Sequence, residues 1–204
     1  MKKRVSITAL ILVLFIGIAY VWYVRVDHRF EEISENRVYK SALIPPDRLE
    51  SFLVPAHIKT VIDLLDPGTN DALNPGKMDD ILAEEKAINK INETYGTDIH
   101  HVSIPSGQVP TRETLKKFFD VLDDETSYPV LIHCYHGMGR AVIYSAVYRM
   151  EYEGWDNEAA RMKTRLFPFM VDSVLHKSSF AAGTDKGDFV INYVPRNRPG
   201  STFE

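Results

Sequence analysis

The chain contains a single cysteine, Cys134, and the residues that follow it suggest what that thiol is for. The segment His133-Cys134-Tyr135-His136-Gly137-Met138-Gly139-Arg140 has the pattern Cys-x5-Arg with two glycines inside it. A loop of that length can curl so that its main-chain N–H groups converge on one point. Gly137 and Gly139 permit the dihedrals and close backbone approach that such a nest needs. A helix beginning at the far end adds positive partial charge. The product is a cradle for a tetrahedral oxyanion such as phosphate, with Tyr135, His136, Gly137, Met138, Gly139 and Arg140 as its binding residues. At its base the same donors favour a thiolate on Cys134, the form that attacks phosphorus. The planar fork of Arg140 suits two phosphoryl oxygens. His133 is read as a support that orients the loop and helps hold the thiolate. The competing account is a tight turn with a buried Cys and a surface Arg. It explains neither the glycines nor the position after a strand.

The elements around the loop are of the right kind to position it. Residues 129–133 are a short apolar strand whose carboxyl end points at Cys134, and a helix is expected from about Gly139 to Gly154. Residues 58–65 (Ile-Lys-Thr-Val-Ile-Asp-Leu-Leu) read as a buried strand closed by Asp66-Pro67-Gly68, and residues 99–104 as another. Residues 37–41 look like a short edge strand. Pro45-Pro46 opens a helix with Leu49, Phe52 and Leu53 on one face. Asn74-Pro75 starts a second helix with Met78, Ile81, Leu82, Ile88 and Ile91 at helical spacing. Thr111 caps a third, in which Leu115, Phe118, Phe119 and Leu122 repeat as core residues. Asp156 caps one more, stopped by Pro168. Residues 178–187 read as a loop, and the Pro-rich end as loosely held. Strands alternating with helices predict an α/β fold with a mostly parallel central sheet flanked by helices, which binds ligands at the strands' carboxyl ends.

The chain of 204 residues is 45% hydrophobic, which suits one compact domain with a short appendage. A net charge of -4 argues against a nucleic-acid partner, which calls for a basic face. A lone cysteine excludes an intramolecular disulfide. Met1-Lys2-Lys3-Arg4 precedes an uncharged run from Val5 to Val24. Its roughly 20 residues cover about 30 Å as a helix, the depth of a bilayer's hydrocarbon core. Tyr20, Trp22 and Tyr23 sit at its far end, where aromatic rings favour the interface. The rival, a cleaved signal peptide, calls for a shorter apolar core and a small-x-small cleavage site, which Tyr-Val-Trp-Tyr-Val-Arg lacks. The organisation expected is a cytoplasmic stub (1–4), one transmembrane anchor (5–24), a linker (25–36) and a domain (37–204). The basic residues favour the amino terminus in the cytoplasm and a single-pass protein of the inner or plasma membrane with an extracytoplasmic, periplasmic domain. Weaker signals read as structure: His100-His101 as strand residues with no third metal ligand in view, Glu84-Glu85-Lys86 as a solvated helix face, and Arg161, Lys163 and Arg165 likewise.

His133-Cys134-x5-Arg140 resembles the active-site loop of the protein tyrosine phosphatase superfamily, especially its small dual-specificity branch. The resemblance covers roughly residues 36–170. Val38-Tyr39-Lys40-Ser41, Ile58-Lys59-Thr60-Val61-Ile62-Asp63-Leu64, and Ala146-Val147-Tyr148-Arg149 with Glu153-Gly154-Trp155 also resemble bacterial members. It implies hydrolysis of phosphate monoesters through a phosphocysteine, without metal or organic cofactor. The substrate would be a phosphorylated protein (tyrosine, serine or threonine) or a phosphorylated lipid, sugar or other small molecule. The chain departs from the family in two places. The family places Ser or Thr directly after the Arg, and this chain has Ala141. The family's acid loop carries an Asp, and Ile104-Pro105-Ser106-Gly107-Gln108-Val109-Pro110 holds no carboxylate. Asp66, from another loop, and His136, whose side chain type exchanges protons near neutral pH, stand as alternative general acids. A weakly active phosphate-binding module and a sulfurtransferase are the rival classes. Without the hydroxyl at position 141, phosphoenzyme hydrolysis should be slow. Rapid mixing with an aryl phosphate is expected to show a burst of product followed by slow turnover, and fast turnover with no burst would contradict this.

Overall fold

The structure, a computed structural model, describes residues 7–69, 75–164 and 179–201. Five strands form one sheet in the order β1 (Glu31–Ser34), β2 (Val38–Ala42), β5 (Val130–Cys134), β3 (Thr60–Asp63) and β4 (His100–Ser103). All neighbours run parallel except β1, which pairs antiparallel with β2. The α/β class with a mostly parallel sheet is therefore what forms. The register sets Ala42 beside Cys134 and both Ser41 and Asp63 beside His133, so the carboxyl ends of three strands lie level under the loop that leaves β5.

Helices cover both faces. On one side α4 (Arg112–Leu122), α5 (Arg140–Tyr152) and α7 (Asp185–Asn192) join Val130, Ile132, Phe118, Phe119, Tyr144 and Val190 in one core. On the other, α2 (Glu50–Leu53) and α3 (Met78–Tyr95) set Leu49, Leu53, Ile88 and Ile91 against Tyr39, Val61 and Leu131. Alternate residues of β5 feed the two cores, as pleating requires. Thr111 caps α4 by accepting from Thr114 N, and Asp156 caps α6 (Asn157–Met162) by accepting from Ala159 N.

Several expectations need correction. Residues 38–42 are an inner strand rather than an edge, because residues 31–34, expected within a linker, pair with them as a hairpin. Phe30 stacks on Tyr39 with ring centroids 5.3 Å apart, so this stretch is packed. The expected helix start at Asn74 lies outside the described residues, and α3 begins at Met78. Part of the segment expected as a loop forms α7, capped by Thr184, which accepts from Gly187 N. The Pro-rich end is held by Arg196, which pairs with Asp123 and Glu151 and lies 4.0 Å over the Phe119 ring. Arg161 is buried on Glu158 and the Phe180 carbonyl rather than solvated. Lys163 is exposed, and Arg165 lies outside the described residues.

The expected transmembrane helix is unsupported. Among the described residues no helix is long and apolar enough to cross a membrane. Residues 7–25 form α1 (Ile7–Arg25), 19 residues that end in a cation. The first residues of the expected span, 5 and 6, lie outside the described region. Leu10, Ile11, Leu14, Phe15, Ile18, Val21 and Trp22 are all exposed.

Gly187 shows how tightly α7 is seated. A Cβ at this position would lie 1.9 Å from the Ala181 carbonyl oxygen. Ala in a helix interior ordinarily gains about 1 kcal/mol over Gly. Gly187→Ala should instead destabilise the domain by about 1–3 kcal/mol, measured by urea unfolding, and a stabilised variant would contradict this packing.

Candidate active site

Cys134 ends β5 with 3% of its surface exposed, and Arg140 begins α5. The five residues between them make the turn. Gly137 has φ +64, and a Cβ there would sit 2.5 Å from Ala42 N, so the loop closes directly onto the end of β2. Leu43 N donates to the Tyr135 carbonyl (3.3 Å), and Arg29 Nη1 to that of His136 (2.9 Å). No side chain caps α5 at Gly139, which leaves its first turn facing the loop. Arg140 is buried, with 3% exposure. Its Nη1 donates to the Leu64 and Ser106 carbonyls, the latter at 2.9 Å. These bonds join the loop after β3, the loop after β4 and the start of α5 through one guanidinium. An arginine so placed is not the surface arginine of a simple turn.

His133 lies beneath the loop among charged partners. Its Nε2 comes within 2.9 Å of Glu84 Oε2 and 3.8 Å of Asp63 Oδ1, and His101 Nε2 approaches the same Glu84 oxygen at 3.0 Å. The His133 approach is an ion-pair contact off the line of a good hydrogen bond. Ser41 Oγ, Asp63 Oδ2 and His133 Nδ1 find no protein partner among the described residues. Burial opposes charge on His133, but Glu84 and Asp63 more than offset it and raise its pKa to about 9. Burial likewise opposes ionisation of Glu84, yet the two imidazoles lower its pKa to about 2. For Asp63 burial prevails and the pKa rises. Asp63, Glu84 and His101 bring ligand atoms within 4.8 Å of one another. With the imidazoles of His133 and His101 at 2.9 and 3.0 Å from the same Glu84 oxygen, the group forms an ionic network beneath the loop.

The two alternative acids fall in different places. Asp66 follows β3, two residues from the carbonyl that Arg140 grips, and its Oδ1 accepts from Gly68 N (3.1 Å), a turn-forming bond. His136 is exposed within the loop, edge-on to Tyr135 with ring centroids 4.8 Å apart. Met138 is also exposed. Neither acid is placed by these contacts against a leaving group. Ala141 is fully buried, and Ser145, one turn along its helix, donates its hydroxyl to the Ala141 carbonyl (2.7 Å). Ser106, in the acid-free loop, is buried and accepts from Tyr144 Oη at 2.9 Å.

Two residues of the site escape a reading of the sequence. Glu84, taken for part of a solvated face, is 1% exposed. The clue was its position: Ile81, Glu84, Ile88 and Ile91 share one helix face at i, i+3, i+7 and i+10. Lys186 of α7 reaches the catalytic loop from far along the chain. A Cβ on Gly139 would lie 3.1 Å from its Nζ and 3.7 Å from Gln108 Oε1. No local pattern announces this contact.

The network has a pH signature. His133, raised from 6.5 to about 9, stabilises the fold fully below 6.5 and loses that contribution as pH rises through 9. Glu84, lowered from 4.5 to about 2, stabilises above 4.5 and loses its contribution as pH falls through 2. The pair is therefore most stabilising between pH 4.5 and 6.5. Glu84→Gln should cost about 3 kcal/mol near pH 6, the scale for breaking a buried pair. It should also flatten the decline in urea-unfolding stability expected of the unaltered chain between pH 6.5 and 9. An unchanged profile would remove Glu84 from this role.

Comparison with known proteins agrees with this geometry. Residues 21–180 match a family model described as DSP-PTPase phosphatase fused to NAD+ kinase. The dual specificity protein phosphatase TpbA of Pseudomonas aeruginosa strain UCBPP-PA14 is 32% identical over 87 residues, 41% of this chain and 40% of that protein. The match therefore spans well under two thirds of the relative's length. The crystal structure of the core catalytic domain of the PP-IP phosphatase SIW14 from S. cerevisiae in complex with citrate aligns with a TM-score of 0.54 at 17% identity, covering 81% of this chain and 85% of the other. A P. aeruginosa TpbA variant in complex with pTyr aligns at 0.53 and 23% identity, covering 81% and 89%. At these identities the structural likeness is one of fold. With a family model matching well over half of its length, the chain belongs to the DSP-PTPase phosphatase family.

Proposed function

We propose that the chain hydrolyses phosphate monoesters through a phosphocysteine intermediate. The observation that carries this is the placement of Cys134 under a main-chain loop at the carboxyl end of the central strand, with Arg140 buried at its rim. Cys134 Sγ attacks phosphorus, the bond to the leaving oxygen breaks, and water then displaces the thiolate to release inorganic phosphate. The loop's N–H groups and Arg140 stabilise the equatorial oxygens as charge develops, and His133 holds the base of the loop. TpbA, a dual-specificity protein phosphatase seen with pTyr, favours phosphorylated protein as the substrate. Buried Ala141 and the carboxylate-free loop 104–110 favour a second reading, a weakly active phosphate-binding module.

In this reading the domain sits at a membrane, with residues 5–24 as a single-pass anchor and the domain on the extracytoplasmic side. The exposed apolar side chains of α1 support this, since nothing among the described residues covers them. Arg29 and the loop carbonyl of His136 would then hold the site close to the bilayer surface, within reach of a phosphorylated lipid.

A form lacking residues 1–27, assayed under reducing conditions, should release p-nitrophenol from p-nitrophenyl phosphate. Cys134→Ser should abolish release while still binding phosphate. The intact domain should carry a phosphoryl adduct on Cys134 by mass spectrometry of quenched reactions. Phosphate binding without turnover in the unaltered form would favour the binding module, and a persulfide on Cys134 would favour sulfur transfer. The full chain should sediment with membranes and resist carbonate extraction, and its recovery in the soluble fraction would end the anchor proposal.

A further inference from the structure

Sequence alone gives His101 no set of partners for a metal ion, but the sheet supplies one. His101 of β4 pairs with Val61 of β3, so Asp63, two residues further along β3, lies on the same face of the sheet. Glu84 of α3 comes down onto that face. Asp63, Glu84 and His101 thereby bring one ligand atom each within 4.8 Å of one another. The three side chains are 0%, 2% and 7% exposed, so this is a buried cluster rather than a solvated acidic patch.

One oxygen of the cluster is left over. Asp63 Oδ1 accepts from Leu65 N (2.7 Å), which fixes the carboxylate, while Oδ2 finds no partner among the described residues. The imidazoles nearest to Asp63 stand at 3.8 Å (His133) and 3.9 Å (His101), beyond hydrogen-bond reach. A buried carboxylate oxygen without a partner is costly and calls for an explanation. The spacing suits a metal ion. Around an ion with ligands at about 2.1 Å, neighbouring tetrahedral ligand atoms stand about 3.4 Å apart. Glu84 Oε2 to His101 Nε2 at 3.0 Å and His101 Nε2 to Asp63 Oδ2 at 3.9 Å bracket that value. Glu84 also lines a cavity of about 780 Å³ with Asp80, Ala83, Ala42 and Tyr135, which gives an ion a way in.

We infer that Asp63 Oδ2, Glu84 Oε2 and His101 Nε2 bind one divalent transition-metal ion, zinc by its ligand preferences, beneath the catalytic loop. Two carboxylates and an imidazole are oxygen and nitrogen donors that zinc accepts, and its two positive charges balance the two anions. His101 Nε2 turns its lone pair to the ion, and the hydrogen bond it shares with Glu84 gives way. A water from the cavity fills the fourth position. The bond from Leu65 N to Asp63 Oδ1 keeps Oδ2 aimed at the ion. His133 Nε2, 2.9 Å from the same Glu84 oxygen, links the ion to the residue before Cys134. The ion ties β3, β4 and α3 together and touches no substrate. It braces the floor of the loop, and its presence does not depend on the phosphatase reading given above.

The test is metal binding to the full chain in detergent, stripped with chelator, titrated with zinc alone and dialysed. Elemental analysis should find one zinc per chain. Cys134→Ser should keep it, since an ion held by the catalytic thiolate would be lost with the sulfur. His101→Gln should weaken zinc binding by about 100-fold or more, beyond the loss of a merely supporting contact. The urea midpoint of the unaltered chain should rise with free zinc, as for any ligand of the folded state, and that of His101→Gln should not. No zinc in the unaltered chain, loss of zinc in Cys134→Ser, or full retention in His101→Gln would overturn the site. Should His101→Gln fail to fold, cobalt(II) in the unaltered chain decides. Visible absorption of a nitrogen- and oxygen-ligated tetrahedral ion supports the site, while a thiolate-to-metal band or no uptake overturns it. None of these readouts uses phosphatase activity, so an inert enzyme and an absent metal site are told apart.

Discussion

Burying the Glu84 carboxylate with 1% of its surface exposed is tolerable only because two imidazoles bring Nε2 to 2.9 and 3.0 Å from it. An isolated charge at such depth would be expelled or neutralised. The carboxylate therefore commits α3 to lie across β5 and β4 at one height, directly beneath the turn that leaves Cys134. His133 in turn cannot rotate away without leaving the buried carboxylate to His101 alone. The catalytic loop starts from a residue whose orientation is set by charge as well as by packing.

Above that layer the loop is held by main-chain contacts. Gly137 lies against β2 too closely for any side chain. Arg140 reaches the carbonyls that follow β3 and β4, so three successive strand ends report to one guanidinium. The carbonyls belong to Leu64 and Ser106, residues of no particular chemistry, which use only their backbone. Such a site is preorganised by the sheet register. The register sets Ala42 level with Cys134, and Ser41 and Asp63 level with His133, so the floor of the site is fixed by the backbone.

Much of this was legible in the sequence where chemistry and periodicity are local. The Cys-x5-Arg loop, the strand before it, the caps Thr111 and Asp156 and the cores around Phe118 and Ile88 all follow from residues within a turn or two of one another. The antiparallel β1 was missed because Glu31-Glu32-Ile33-Ser34 carries one apolar residue and looks like solvated linker until β2 pairs with it. Glu84 was misjudged because a charge on an apolar face looks like an error in the pattern, and only the fold reveals His133 and His101 waiting for it. Lys186 and Arg196 were invisible for a different reason. Both act across large separations in sequence, and neither is flagged by its neighbours.

The placement of α7 has a consequence for the order in which the machinery is assembled. All five strands of the described sheet are present once the chain has been made as far as Cys134, and the loop closes when α5 follows. Domains begin to fold from the amino-terminal side during synthesis. The thiol and its cradle can thus exist some fifty residues before Lys186 arrives and docks beside Gly139. A nascent chain that ends before α7 would have the sheet and the cradle yet lack the helix that seats beside Gly139. The rim of the cradle is thus the last part of the site to be built, added from the far end of the domain after its floor is already set.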